Sequence, residues 1–285
     1  MKYALVRLVV ALGFVVPAFI AELSLPRFAR SLGPTAAASL SALAACVLGW
    51  AAYAAYVRLV ERRPLTEFGR RAAFAELAAG LVIGAVLFGT TLAVLAALGV
   101  YRIHGTRELS VLIIPLAASI GAGVMEEILF RGVVFRIAES SLGTWSALAI
   151  SAALFGLLHL VNPRATLLGA LALVFEAGVM LAGAYLLTRR LWMPIGIHIG
   201  WNFTQGGVFS VPVSGLRSTG FFDATLSGPV WLSGGDFGAE ASVVAVAVCV
   251  ALAVVLLKLA ARRGHVIAPH WRRAGEAAPA AATAR

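Results

Sequence analysis

The chain has 285 residues, of which 61% are hydrophobic and only 13% charged, and its mean hydropathy is +0.93. That balance excludes an ordinary soluble domain and identifies an integral membrane protein. The formal net charge of +10 does not argue for nucleic acid, because the basic residues fall in short loops and at the tail between apolar runs, where they act as topology signals.

Apolar runs of about 20 residues predict eight spans, at 3–23, 35–60, 72–100, 109–137, 144–161, 166–187, 191–211 and 240–260. The expected fold class is all-α: a polytopic membrane protein of about eight transmembrane helices around an intramembrane cavity. The first run begins with Lys2 and Arg7 but has a long apolar core and no small-x-small cleavage site, so it is expected to be a retained span. Glu22, at its end, reads as interfacial. Cys46 and Cys249 both lie inside apolar runs, where a thiol behaves as a small hydrophobe, and imply no disulfide. His104 falls in a loop and reads as solvated.

The fourth run contains Met125-Glu126-Glu127-Ile-Leu-Phe-Arg131-Gly-Val. An ionisable side chain near a bilayer centre costs about 2.5–3.5 kcal/mol on insertion scales, so three within six residues need partners or a purpose. On a helix Glu127 and Arg131 are i and i+4 and share a face, placed to pair. Glu126 points about 100° away and stays free. Taken alone, the cluster could be a structural ion-pair knot, the lesser reading.

The fifth run carries Phe155-Gly-Leu-Leu-His159, and the seventh carries His198-Ile-Gly-Trp-Asn202. Each pair is i and i+4, on one helix face. Singly, a membrane histidine is as readily a packing residue bonded to a neighbouring backbone, and Phe155 is a core side chain. Together, two carboxylates, two imidazoles and a carboxamide on separate helices are the components of a hydrolytic site. Glu176, in the sixth run, reads either as a partner supporting a site histidine or as a hydrogen bond to a neighbouring helix. Gly178 and Gly183 permit close helix approach there. Residues 212–238, rich in Gly, Ser and Pro, are expected to form an irregular loop. Residues 264–285 are expected to be a disordered tail in which His265 and His270 are solvated.

The motifs Glu126-Glu127-x3-Arg131, Phe155-x3-His159 and His198-x3-Asn202, in that order, resemble the CAAX protease and bacteriocin-processing (CPBP, or ABI) family of intramembrane endopeptidases, type II CAAX prenyl endopeptidase-like. The resemblance covers about 109 to 215. It implies an intramembrane protease in which Glu126 and His159 activate the attacking water, His198 and Asn202 stabilise the oxyanion, and Glu127 and Arg131 support them. The expected organisation is N-terminal transmembrane helices at 1–108, a catalytic core at 109–215, an extracytoplasmic loop and last helix at 216–263, and a cytoplasmic tail at 264–285.

The implied partner is a membrane-associated peptide or protein, CAAX-like or bacteriocin-type, within the lipid bilayer and with no nucleic acid. Non-catalytic readings are a membrane scaffold or bacteriocin-immunity protein and a proton-coupled transporter, the latter disfavoured by the lack of internal repeats. No cofactor is expected. Zinc is the alternative, with Glu126, His159 and His198 as a His2Glu set, but the chain lacks a His-Glu-x-x-His helix.

Eight spans put both termini on one side. With the N-terminus inside, seventeen of the 23 lysines and arginines fall on the cytoplasmic side; the others are Arg27, Arg30, Arg102, Arg107, Arg164 and Arg217. Cytoplasmic termini are therefore expected. Counting ~1.5 Å per residue from the cytoplasmic ends places Glu126 at ~16 Å, His198 at ~10 Å and His159 at ~22 Å. Convergence then requires residues 138–143 to lie deeper or the fifth span to start later.

Overall fold

A computed structural model describes residues 3–276. In chain order the main elements are α1 (Ala4–Phe28), α2 (Pro34–Glu61), α3 (Ala73–Ala97), β1 (Tyr101–Thr106), α4 (109–142), α5 (144–161), α6 (Leu167–Thr188), α7 (192–208), β2 (Phe222–Leu226), α8 (Val243–Arg262) and α9 (His270–Glu276). Among the described residues, six continuous helical stretches are long and apolar enough to cross a membrane. One of them, Leu109–Val161, holds two helices, because Gly143 adopts φ 78° and breaks the rod. That conformation suits a residue without Cβ. Helix α7 is not among these six but lies where the seventh run was expected. The all-α polytopic fold is thus borne out.

Local chemistry sets the helix ends. Pro34 starts α2 at a position where its missing N–H is no loss. Thr166 caps α6 by accepting from the Gly169 N–H (3.0 Å), and Ser242 caps α8 by accepting from the Ala245 N–H (3.1 Å). Many large apolar side chains on the outer faces, such as Leu5, Val82 and Val86, are exposed, as expected for helices that face acyl chains.

Ion pairs gather at one end of the bundle. Glu61, at the end of α2, binds Arg63 (2.7 Å) and Arg136 on α4 (2.9 Å), and also accepts from Arg7 on α1 (3.1 Å). Glu67 pairs with Arg63 (2.9 Å), Glu139 with Arg189 (2.5 Å), and Arg190 Nε donates to Glu76 (2.9 Å). Arg263 and His265, beyond α8, bond the carbonyls of Leu187 (3.1 Å) and Leu186 (2.7 Å) at the end of α6. The start of α1 and the ends of α2, α4, α6 and α8 therefore share this end, so the helices alternate in direction and the two ends of the described chain meet.

Three expectations change. Residues 264–276 are tethered rather than free: the Thr144 N–H donates to the Ile267 carbonyl (2.9 Å), and Arg273 donates to the Ser140 carbonyl (2.8 Å). His265 is correspondingly bonded rather than solvated, whereas His104 and His270 are exposed. The remainder of the tail, 277–285, lies outside the described residues. The 212–238 loop contributes β2, which pairs antiparallel with β1 from Tyr101↔Leu226 to Thr106↔Phe222. Glu22 is buried, not interfacial, and accepts from the Ser41 hydroxyl at 3.0 Å.

The closest helix crossing sets α7 against α3. Gly80 and Gly84 on α3 face Gly196, Ile197 and Trp201 on α7, while Gly196 and Gly200 face the backbone of Leu77 and Leu81. A Cβ at Gly84 would lie 2.6 Å from the Trp201 nitrogen, whereas one at Gly89, on the same helix, would meet nothing within 4 Å. Gly84→Ala is therefore expected to destabilise by about 1–3 kcal/mol through overpacking. Gly89→Ala is expected to be neutral or stabilising by up to about 1 kcal/mol through helix propensity. Thermal unfolding of both variants in detergent checks this, and equal midpoints would refute the crossing.

Candidate active site

Glu126 and Glu127 sit at the point where α4 changes from α-helical to π-helical winding, which runs over Ile128–Phe135. Such insertions are frequent at functional sites because they re-aim side chains without ending the helix. Glu127 and Arg131 are both fully buried and bond at 2.6 Å. Arg131 also donates to the carbonyls of Ala177 (2.9 Å) and Gly178 (3.1 Å) on α6, itself π-wound over Val174–Val179. Its guanidinium lies 4.7 Å from the Phe155 ring centroid, a desolvated cation–π contact.

The carboxylate of Glu127 has a second partner, His198 Nδ1, at 3.0 Å on the same Oε1. A carboxylate only accepts, so Nδ1 carries the proton and Nε2 points away. On α5 the His159 Nδ1–H donates to the Phe155 carbonyl at 2.7 Å, because a carbonyl likewise only accepts. This leaves the His159 Nε2 lone pair facing Glu126. The Glu126 Oε2 lies 3.8 Å from His159 Nε2 and 4.0 Å from His198 Nε2. It is buried and has no hydrogen-bond partner among the described residues.

Phe155 separates the charged groups and orders them. Its ring centroid is 4.9 Å from that of His159 and 6.2 Å from that of His198, and Phe130 packs edge-on at 5.0 Å. The bland expectation of core packing holds for Phe155, but the packing partners are the site side chains themselves. Close helix approach makes this geometry reachable. A Cβ on Gly178 would lie 2.8 Å from Ala152 Cα, and one on Gly156 would lie 2.9 Å from Val174 N, so α5 and α6 meet backbone to backbone. Gly183 similarly lets α6 approach Leu256 on α8.

A cavity of about 550 Å³ opens beside these groups, lined by Glu126, Phe155, His159, His198 and Asn202. The seven motif residues are thus brought together, with Asn202 one turn beyond His198 and facing the same cavity. Glu176 also lines the cavity, but the polar group recorded beside it is the Cys249 thiol, at 4.0 Å, rather than a histidine. The spread of depths counted along straight helices does not keep the groups apart, since Glu126, His159 and His198 line one cavity.

Sequence reasoning missed two further cavity-lining carboxylates, Glu22 on α1 and Glu240 before α8. Each is alone in its own stretch of sequence, and Glu22 read as interfacial, so neither pointed to the cavity. Glu240 accepts from the Ser214 N–H. It lies outside the membrane-spanning segments, and burial pushes its carboxyl up to about 7, the Ser214 N–H pulling the other way.

The donor set can be tested against zinc. Bonds of about 2.0–2.1 Å place tetrahedral donors roughly 3.4 Å apart. Among the described residues no group of three or more His, Cys, Asp or Glu is placed to take a metal ion.

Fold and site define a polytopic membrane protein with a glutamate–histidine centre buried among its helices. Residues 108–204 match the family model described as type II CAAX prenyl endopeptidase Rce1-like, and all seven motif residues fall within that span. The resemblance is borne out over that stretch: residues 108–204 form an Rce1-like region, and the match supports protease activity. Comparison with curated proteins and with solved structures gave no match.

The two adjacent carboxylates separate experimentally. Arg131→Ala leaves Glu127 buried without its cation and is expected to cost roughly 3–5 kcal/mol of stability. Glu126→Gln removes no bond and is expected to leave the thermal midpoint unchanged. Equal loss of folded protein in both variants would contradict this division.

Proposed function

We propose that the protein is an intramembrane endopeptidase that hydrolyses a peptide bond in a membrane-associated substrate of CAAX or bacteriocin type. Glu126 and His159 activate the water, while His198 and Asn202 receive the oxyanion. The observation that carries this reading is the opposition of two acceptors, Glu126 Oε2 and His159 Nε2, 3.8 Å apart. Neither can donate to the other, so a molecule that bridges them must bring two donor hydrogens. Water does so.

In this reading one water proton passes to Glu126 as the oxygen adds to the scissile carbonyl carbon. The resulting oxyanion is met by His198 Nε2–H and the Asn202 amide. His198 can donate there only when it carries both ring protons, since its Nδ1–H is committed to Glu127. Two carboxylates and one arginine leave a single negative charge, which that second proton balances. Collapse of the tetrahedral species breaks the C–N bond, and the proton held by Glu126 goes to the departing amine. Each oxyanion donor is typically worth ~2.7–4 kcal/mol of barrier. The match to a CAAX endopeptidase model supports the substrate class.

We further propose that the termini are cytoplasmic. The arginine asymmetry supports this, as does the gathering of arginines at the end shared by the start of α1 and the end of α8. A cysteine at Ser218 is then expected to react with an impermeant thiol reagent from outside the cell, and one at Thr66 is not; labelling at both or neither contradicts the orientation.

The proposed chemistry needs no metal. Activity of purified protein on a membrane-associated peptide is expected to survive exhaustive treatment with a strong zinc chelator. Near-stoichiometric zinc, with activity lost on chelation and restored by zinc, would overturn the metal-free mechanism.

A further inference from the structure

The buried acids of this chain divide into two groups. Glu61, Glu67, Glu76, Glu127 and Glu139 each have an arginine partner. Glu22, Glu176 and Glu240 have none among the described residues, and all three line the cavity that holds Glu126, His159 and His198; Glu22 accepts from the Ser41 hydroxyl at 3.0 Å, whereas Glu176 and Glu240 are only 2% exposed and less well satisfied. Glu240 is partly satisfied by the Ser214 N–H. The Glu176 Oε2 is buried with no hydrogen-bond partner, and its other oxygen has only the Cys249 thiol, at 4.0 Å. Arg131 donates to the carbonyls of Ala177 and Gly178, the next two residues after Glu176, yet gives its carboxylate bond to Glu127.

An ionised carboxylate in an apolar setting without a partner is strongly disfavoured, and two close together more so. The described residues offer no third donor that would make the pair a metal site. A proton can neutralise such carboxyls while the cavity is empty, and the complement that would ionise them is an organic cation that enters the cavity. We propose that Glu176 and Glu240 form a subsite for the ammonium or guanidinium of a basic residue in the substrate peptide, held beside the bond being cut. This rests on the endopeptidase reading for its orientation, but binding at the subsite is a property of the cavity itself. The pair would select substrates with lysine or arginine at one fixed distance from the scissile bond, because a neutral residue there leaves the carboxyls unmatched.

The test uses full-length protein in lipid nanodiscs with Glu126→Gln, so that binding is read without cleavage. The probes are short palmitoylated peptides of alanine and leucine, fluorescently labelled, in which a single lysine is walked through every position, each matched by a norleucine control. Lysine at one position, or two neighbouring ones, is expected to bind about tenfold tighter than norleucine, about 1.4 kcal/mol. Adding Glu176→Gln and Glu240→Gln together is expected to remove that preference, so that lysine and norleucine peptides bind alike. If the double substitution does not fold, each single glutamine variant is expected to weaken the preference. No lysine preference at any position, or a preference that persists without the two carboxylates, overturns the subsite. Incubating wild-type protein with the same peptides separates the two readings: lysine-selective binding without cleavage sinks the peptidase assignment alone, and cleavage indifferent to lysine sinks the subsite alone.

Discussion

The carboxylate of Glu127 is the interaction on which the arrangement of the core depends. Three charged or polar groups from α4 and α7 meet there without solvent, and removing ions from water is costed at several kcal/mol each. The cost is offset locally: Arg131 adds two backbone acceptors on α6 and the face of Phe155 on α5 to its bond with Glu127. One buried pair therefore ties four helices together. It also fixes the tautomer of His198, because the proton on Nδ1 is held by Glu127.

This knot explains why Glu126 differs from its neighbour. The two carboxylates are adjacent in sequence, but one turns toward the arginine and the other toward the cavity, where two imidazole nitrogens face it at 3.8 and 4.0 Å. A helical ion pair used as scaffold leaves the remaining acid free to meet a ligand, and the proposed peptidase chemistry uses that freedom. The π-wound stretches after Glu127, around Glu176 and after Asn202 lie beside the same groups. They turn the side chains inward while the helices continue across the bundle, which a loop in the lipid-exposed interior could not do without leaving backbone groups unpaired.

Much of this was legible from spacing. The i, i+4 relation of Glu127 and Arg131 predicted their bond, and the 100° offset of Glu126 predicted its separation, because both are local properties of one helix. The convergence of α4, α5 and α7 was legible only through motif order and family resemblance. Counting depth along ideal rods spread Glu126, His159 and His198 over levels that their shared cavity does not show. Glu22 and Glu240 were not assigned to the cavity because each approaches it from a distant segment. The β1–β2 pair escaped notice for a similar reason: its short strands lie more than a hundred residues apart and have no hairpin turn between them.

The central claim is that Glu126, released from ion pairing by its neighbour's bond to Arg131, activates water for peptide hydrolysis within the membrane. Comparison of peptide termini in membrane fractions from cells expressing wild type and Glu126→Gln at equal levels tests it most directly. The account predicts a set of new termini, in or next to the membrane segments of substrate proteins, that is present with wild type and missing with the variant. Identical termini in the two samples would contradict it.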